Sequence, residues 1–153
     1  MPAKKLQSPE KDIVTILQKL SEIYSPSGMT REALGYIEQL ARKSGIKAYY
    51  TNKGALIVGN HKQPEIAVAG HVDTLGLIVK DIKSDGNLAF SKIGGPILPA
   101  FEGKTARIFT DSGKIYSGTL VLNNPAAHVN LKASDAVRND NNMHIRLDAE
   151  VKN

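Results

Sequence analysis

One tripeptide in this chain has the residue types for metal chemistry: His71-Val72-Asp73, within "AVAGHVDTLGLIVKDI" at residues 67–82. A metal-bound imidazole gives one ring nitrogen to the ion and donates its other N–H to a carboxylate, which fixes the tautomer and raises the basicity of the ring. Side chains two positions apart on an extended segment point the same way, so Asp73 can reach His71. Ala67, Ala69 and Gly70 on the approach are small enough to leave room for an ion and a substrate. A His-x-Asp tripeptide is a weak signal by itself, and the competing reading is an ordinary polar pair where a strand ends.

The remaining candidates have plainer explanations. His128 follows "NNPAA" in a loop that could approach a neighbouring active site in an oligomer, but a lone loop histidine reads first as solvent-exposed. His61 and His144 lack a carboxylate at ligand spacing and read as surface residues. Asp81 and Asp85 fall on a strand and a turn, where capping suffices as a role. Gly94-Gly95 is too short for a phosphate loop and no helix follows it, so it reads as a bend. No cysteine occurs, which removes disulfides, thiolate metal sites and cysteine nucleophiles together.

The elements that would carry His71 and Asp73 can be read from periodicity. Ser8 is placed to cap a helix with Pro9 at its first position, and Ile13, Ile16, Leu17, Leu20 and Ile23 follow on one face up to Tyr24. "SPSG" at 25–28 interrupts, and Thr30 is placed to cap a second helix bearing Ala33, Leu34, Ile37, Leu40 and Ala41 until Gly45. "IKAYYT", "ALIVGN" and "EIAVAG" read as three short strands that these helices would cover, the last two apolar enough for burial on both faces. His71 would then lie just past a strand's C-terminal end, where open α/β sheets bind ligands.

From residue 75 the pattern changes. "LGLIVKDIKSDGNLAFSKIGG" pairs two strand-like runs around Ser-Asp-Gly-Asn, and "ARIFTDSGKIYSGTLVL" pairs two more around Asp-Ser-Gly. "NMHIRLDAEV" alternates like a further strand. The expectation is an α/β fold: helices on a sheet over residues 1–74, then a small antiparallel barrel or sandwich over 75–153.

Composition limits the class. With 153 residues, 41% hydrophobic and 23% charged, this is a globular chain of about one domain's size. No stretch reaches the roughly 18 apolar residues of a membrane span, and "MPAKKLQSPE" has no apolar run after its lysines, so a soluble cytoplasmic protein is expected. The net charge of +5 is spread along the chain, its densest groups being Lys4-Lys5 and Arg42-Lys43, and with three Phe, five Tyr and no Trp there is little to stack on bases. Nucleic acid is therefore not the expected partner.

"VAGHVDTLGLIVKDIKSDGNLAFSKIGG" resembles the tetrahedral or deblocking aminopeptidases, a family of dinuclear metallopeptidases that includes glutamyl aminopeptidases and proteins once labelled endoglucanases. "YSPSGMT", "NKGALIV", "EGKTARIFTDSGKIYSGTLV" and "VRNDNNMHIRLDAEV" are similar to further parts of that family, so the resemblance spans nearly the whole chain. It implies that His71 ligates one of two divalent ions (Zn, Co or Mn) and that Asp73 supports it without touching the metal. The implied reaction is removal of N-terminal residues from peptides by a metal-activated water, in a tetrahedral homo-dodecamer to which the inserted barrel contributes contacts. The family's bridging Asp, its Glu-Glu pair, a further Asp and a late His find no counterpart before Asn153. The resemblance thus implies an N-terminal portion of a longer enzyme, inactive alone because a catalytic zinc site takes three protein ligands and an open position.

Two other classes compete. A non-catalytic basic barrel binding nucleic acid or protein would explain the charge without a metal. An endoglucanase-type glycosidase would need two carboxyl groups flanking the scissile bond, and no such pair stands out.

Overall fold

The computed structural model describes residues 9–59 and 64–148. The expected cap at Ser8, the histidine at 61 and the end of the last strand-like run lie outside the described residues. The fold is mixed α/β and falls into two compact units, one ending at Thr74 and one beginning at Leu75.

In the first unit, helix α1 (Pro9–Glu22) starts on its proline, whose missing N–H costs nothing at that position. Helix α2 (Arg31–Lys43) follows the breaker loop. Thr30 stands at its N-cap but in helical backbone geometry, and its hydroxyl makes no capping bond, contrary to the role expected of it. The other end behaves as read. Gly45 takes a φ of 73° that an L side chain rarely adopts, letting the Ile46 N–H reach the Ala41 carbonyl at 2.9 Å and the Gly45 N–H reach that of Arg42 at 3.0 Å.

Helix α2 packs its Ala33/Ala41 face on a two-stranded antiparallel hairpin, β1 (Ala48–Tyr50) and β2 (Leu56–Val58), joined through Thr51 and Ala55. Three sequence expectations fail here. "EIAVAG" does not pair as a strand, and Ile66 and Val68 are 82% and 95% exposed. An apolar run becomes a strand only when neighbours accept from its N–H groups and donate to its C=O groups, and none of the described residues does so. The stripe of α1 is likewise only partly covered, with Ile13 and Leu17 exposed, and Val58 of β2 is exposed instead of central.

The second unit is a five-stranded antiparallel sheet. Its strands are β3 (Gly76–Ile82), β4 (Leu88–Ile93), β5 (Thr105–Phe109), β6 (Ile115–Leu122) and β7 (Met143–Leu147), in the order β3-β4-β7-β6-β5. Both expected hairpins are present, their turns carrying Gly86 and Gly113, each at φ 80°. A helix is absent from "GLIVKDI", which is β3 with a bulge between Val79 and Asp81. Alternate residues Leu88, Phe90, Leu120, Leu122, Met143 and Ile145 meet on one face, and Leu98 of the 3-10 turn Leu98–Phe101 closes over them. Gly94 bends the chain toward that turn at φ 74°, where a β-carbon would lie 2.8 Å from a Leu75 methyl.

The long segment between β6 and β7 is tied down by Arg138. Its Nε donates to Glu102 at 2.9 Å while Nη1 donates to the carbonyls of Ala133, Ser134 and Ala136. Among the described residues, no helix is long and apolar enough to cross a membrane.

Candidate functional site

His71 and Asp73 are brought together, but not by a strand end. The stretch from residue 66 to Asp73 carries no regular structure, and what holds its last part is the loop between the helices. Ser25, only 2% exposed, donates its hydroxyl to the Val72 carbonyl at 2.9 Å and accepts the Thr74 N–H on its own carbonyl at 2.7 Å. A parallel bridge pairs Pro26 with Thr74. The backbone on both sides of Asp73 is therefore pinned to residues 25 and 26.

Within that frame the His71 Nδ1 lies 3.2 Å from Asp73 Oδ1 and 3.0 Å from the Asp73 backbone oxygen. Both neighbours accept and neither donates, so Nδ1 carries the proton and Nε2 keeps a free lone pair. The imidazole is 87% exposed, so that lone pair is accessible. The other carboxylate oxygen, Asp73 Oδ2, accepts the Ser27 hydroxyl at 2.5 Å. This bond, with weaker help from the Asp73 backbone N–H and the nearby imidazole, holds the Asp73 carboxyl below the usual carboxylate range against the opposing effect of burial. Asp73 is thus an ionised acceptor at neutral pH.

The donor set fits one metal-ligand position: an accessible imidazole nitrogen whose opposite N–H is held by a carboxylate. It does not fit a complete site, since no group of three His, Cys, Asp or Glu among the described residues could hold an ion.

The other candidates separate from this pair. His128 is exposed in the turn at 127–129, as expected. Asp85 serves its turn, accepting the Asn87 N–H at 3.0 Å and the Asn87 side-chain amide at 2.8 Å, which lower its carboxyl's affinity for a proton. His144 is a correction: it is 8% exposed, not a surface residue. Strand β7 runs between β4 and β6, and the face opposite the core is covered at this point, with Asn123 Oδ1 accepting from Nδ1 at 2.9 Å. Ser25 and Ser27 received no role from the sequence. A Ser-Pro-Ser-Gly loop signals a break between helices, while their contacts to Val72 and Asp73 run across the chain and leave no periodic trace.

Comparison with known proteins places the chain in a family. Residues 52–153, well over half of the chain, match the M42 glutamyl aminopeptidase family. The provisionally named aminopeptidase YhfE of Bacillus subtilis (strain 168) is 40% identical over 139 residues, covering 89% of this chain and 40% of YhfE. Among solved structures, the TET aminopeptidase of the marine sediment archaeon Thaumarchaeota archaeon SCGC AB-539-E09 has a TM-score of 0.78 at 23% identity, over 93% of this chain and 40% of that one. The TET1 peptidase of Pyrococcus horikoshii, described as assembling into a tetrahedron or a large octahedral shell, has a TM-score of 0.69 at 24% identity over 90% and 41%. The chain belongs to the M42 glutamyl aminopeptidase family of peptidases. It spans about 40% of the length of these relatives.

Proposed function

We propose that this chain is the part of a metal-dependent aminopeptidase that contributes one histidine ligand to a dinuclear site, His71, with Asp73 as its orienting carboxylate. The observation that carries the reading is the placement of His71 Nδ1 within 3.0 and 3.2 Å of two Asp73 oxygens, which leaves Nε2 exposed. Family membership supplies the reaction class, hydrolysis of N-terminal residues from peptides, and makes the glycosidase and the non-catalytic barrel the weaker alternatives. Bound divalent ions, Zn, Co or Mn, would polarise the scissile carbonyl and lower the pKa of an attacking water. The chain's own contribution is to hold the His71 tautomer and direct its lone pair. The other ligands and the general base would come from the length of the relatives that this chain does not span, so residues 1–153 alone should not hydrolyse peptides.

The same reading assigns residues 1–74 to a part of the catalytic α/β domain and 75–153 to an inserted barrel-like domain that helps subunits associate, in a large cytoplasmic homo-oligomer. The likeness to a TET1 peptidase that forms closed shells supports the assembly.

The order of severity of two substitutions tests the ligand assignment. In the complete enzyme His71→Ala should abolish occupancy of one metal site and nearly all peptide hydrolysis, while Asp73→Ala should weaken metal affinity or activity by roughly 10–100-fold. Equal, modest losses of stability with metal content unchanged would reduce the pair to a structural contact.

A further inference from the structure

We infer that Ser27 is a positioning residue for the His71–Asp73 pair, setting the carboxylate's rotation through the hydroxyl that Asp73 Oδ2 accepts. The inference rests on the ligand reading of His71, and its observations are geometric. The backbone of residues 72–74 is already fixed by Ser25 and by the bridge from Pro26, through bonds that run to main-chain atoms and not to the Asp73 carboxylate. The carboxylate can still turn about its side-chain bonds, which would carry its oxygens away from His71.

Ser27 fixes that rotation. By engaging Oδ2 it leaves Oδ1 toward the imidazole, where it sits 3.2 Å from Nδ1. The hydroxyl comes from the helix-connecting loop, so one short segment places both the backbone and the side chain of the pair. Asp73 has a half-exposed side chain, and water could replace the hydroxyl as a donor. Water would not favour one carboxylate rotamer over another, whereas a hydroxyl on a fixed turn does. That turn is closed independently of the side chain, by the Met29 N–H to the Pro26 carbonyl at 2.8 Å and by Gly28 at φ 94°. Ser27 is itself exposed, so removing its hydroxyl leaves neither a cavity nor a buried unpaired group.

The measurement is the ring 15N spectrum of His71 in the 153-residue chain at a pH where the imidazole is neutral. The parent should show Nδ1 protonated and Nε2 bare. Ser27→Ala should raise the fraction of the Nε2–H form without abolishing the parent tautomer, since the Asp73 backbone oxygen 3.0 Å from Nδ1 still accepts its proton, and an unchanged amide spectrum should show that the fold persists. Ser27→Thr, which keeps the hydroxyl, should restore the parent tautomer, and Asp73→Asn should disturb it at least as much as Ser27→Ala. Should Ser27→Ala not fold, Ser27→Cys, nearly isosteric but a poor donor, takes its place. Parent-like His71 shifts in the folded alanine or cysteine variant would overturn the role of Ser27. Failure of the ligand reading looks different: the tautomer would respond to Ser27 as described, yet His71→Ala would leave the metal content of the complete enzyme intact.

Discussion

At the scale of single residues, the two paired histidines sit in opposite surroundings. His71 is accessible and held by an ionised carboxylate. His144 is buried beneath the second unit's surface, and that burial, with Lys83 and Arg146 nearby and only Asp85 opposing them, pushes its pKa below the ordinary 6.5. A histidine harder to protonate in the folded than in the unfolded chain contributes stability above its unfolded pKa, and that contribution is lost as pH falls through the window beneath it. Acidification from about pH 7 to 5 should therefore lower the unfolding midpoint of the second unit. His144→Gln, which can still donate to Asn123, should flatten that slope; an unchanged slope would show that the carboxylates alone set it. Nothing in "NMHIRL" distinguishes this histidine from an exposed one, because alternation says which face a residue takes and not whether that face is covered.

At the scale of elements, the crossing of β6 and β7 depends on a missing side chain. Gly118 pairs with Leu147, and a β-carbon there would stand 2.7 Å from the Arg146 backbone oxygen and 2.8 Å from an Ile145 methyl. A backbone oxygen in a ladder has little room to move, so Gly118→Ala should destabilise the sheet by about 1–3 kcal/mol, as overpacked sites do. Urea denaturation followed by circular dichroism would show it; an unshifted midpoint would mean that the strands separate freely at this point. The hairpins themselves were readable from Ser-Asp-Gly-Asn and Asp-Ser-Gly, since a turn needing positive φ names its own residue. The crowding at Gly118 was not, because it depends on which strand β6 meets.

At the scale of the whole molecule, the apolar surface left uncovered governs behaviour in solution. Ile66, Val68 and Ile82 are each at least 70% exposed, and among the described residues the edge strands β3 and β5 each have a single neighbour in the sheet. Surfaces and edges of this kind recruit other chains. The 153-residue chain should therefore self-associate in sedimentation velocity at micromolar concentration, and Ile66→Thr with Val68→Thr should lessen it. A monomer at every concentration would show that these residues find cover within the chain.

The sequence by itself determined the local pieces: two helices with a glycine stop at Gly45, two hairpins with glycine turns, and a His-x-Asp pair close enough to interact. Each depends on residues within a few positions of one another, where steric limits and spacing act directly. Tertiary structure decided the rest. "EIAVAG" has the composition of a buried strand and is not one, because pairing requires a partner that no local pattern supplies. The Val72 carbonyl and the Asp73 carboxylate are held by Ser25 and Ser27, far away in the chain and adjacent only once it has folded.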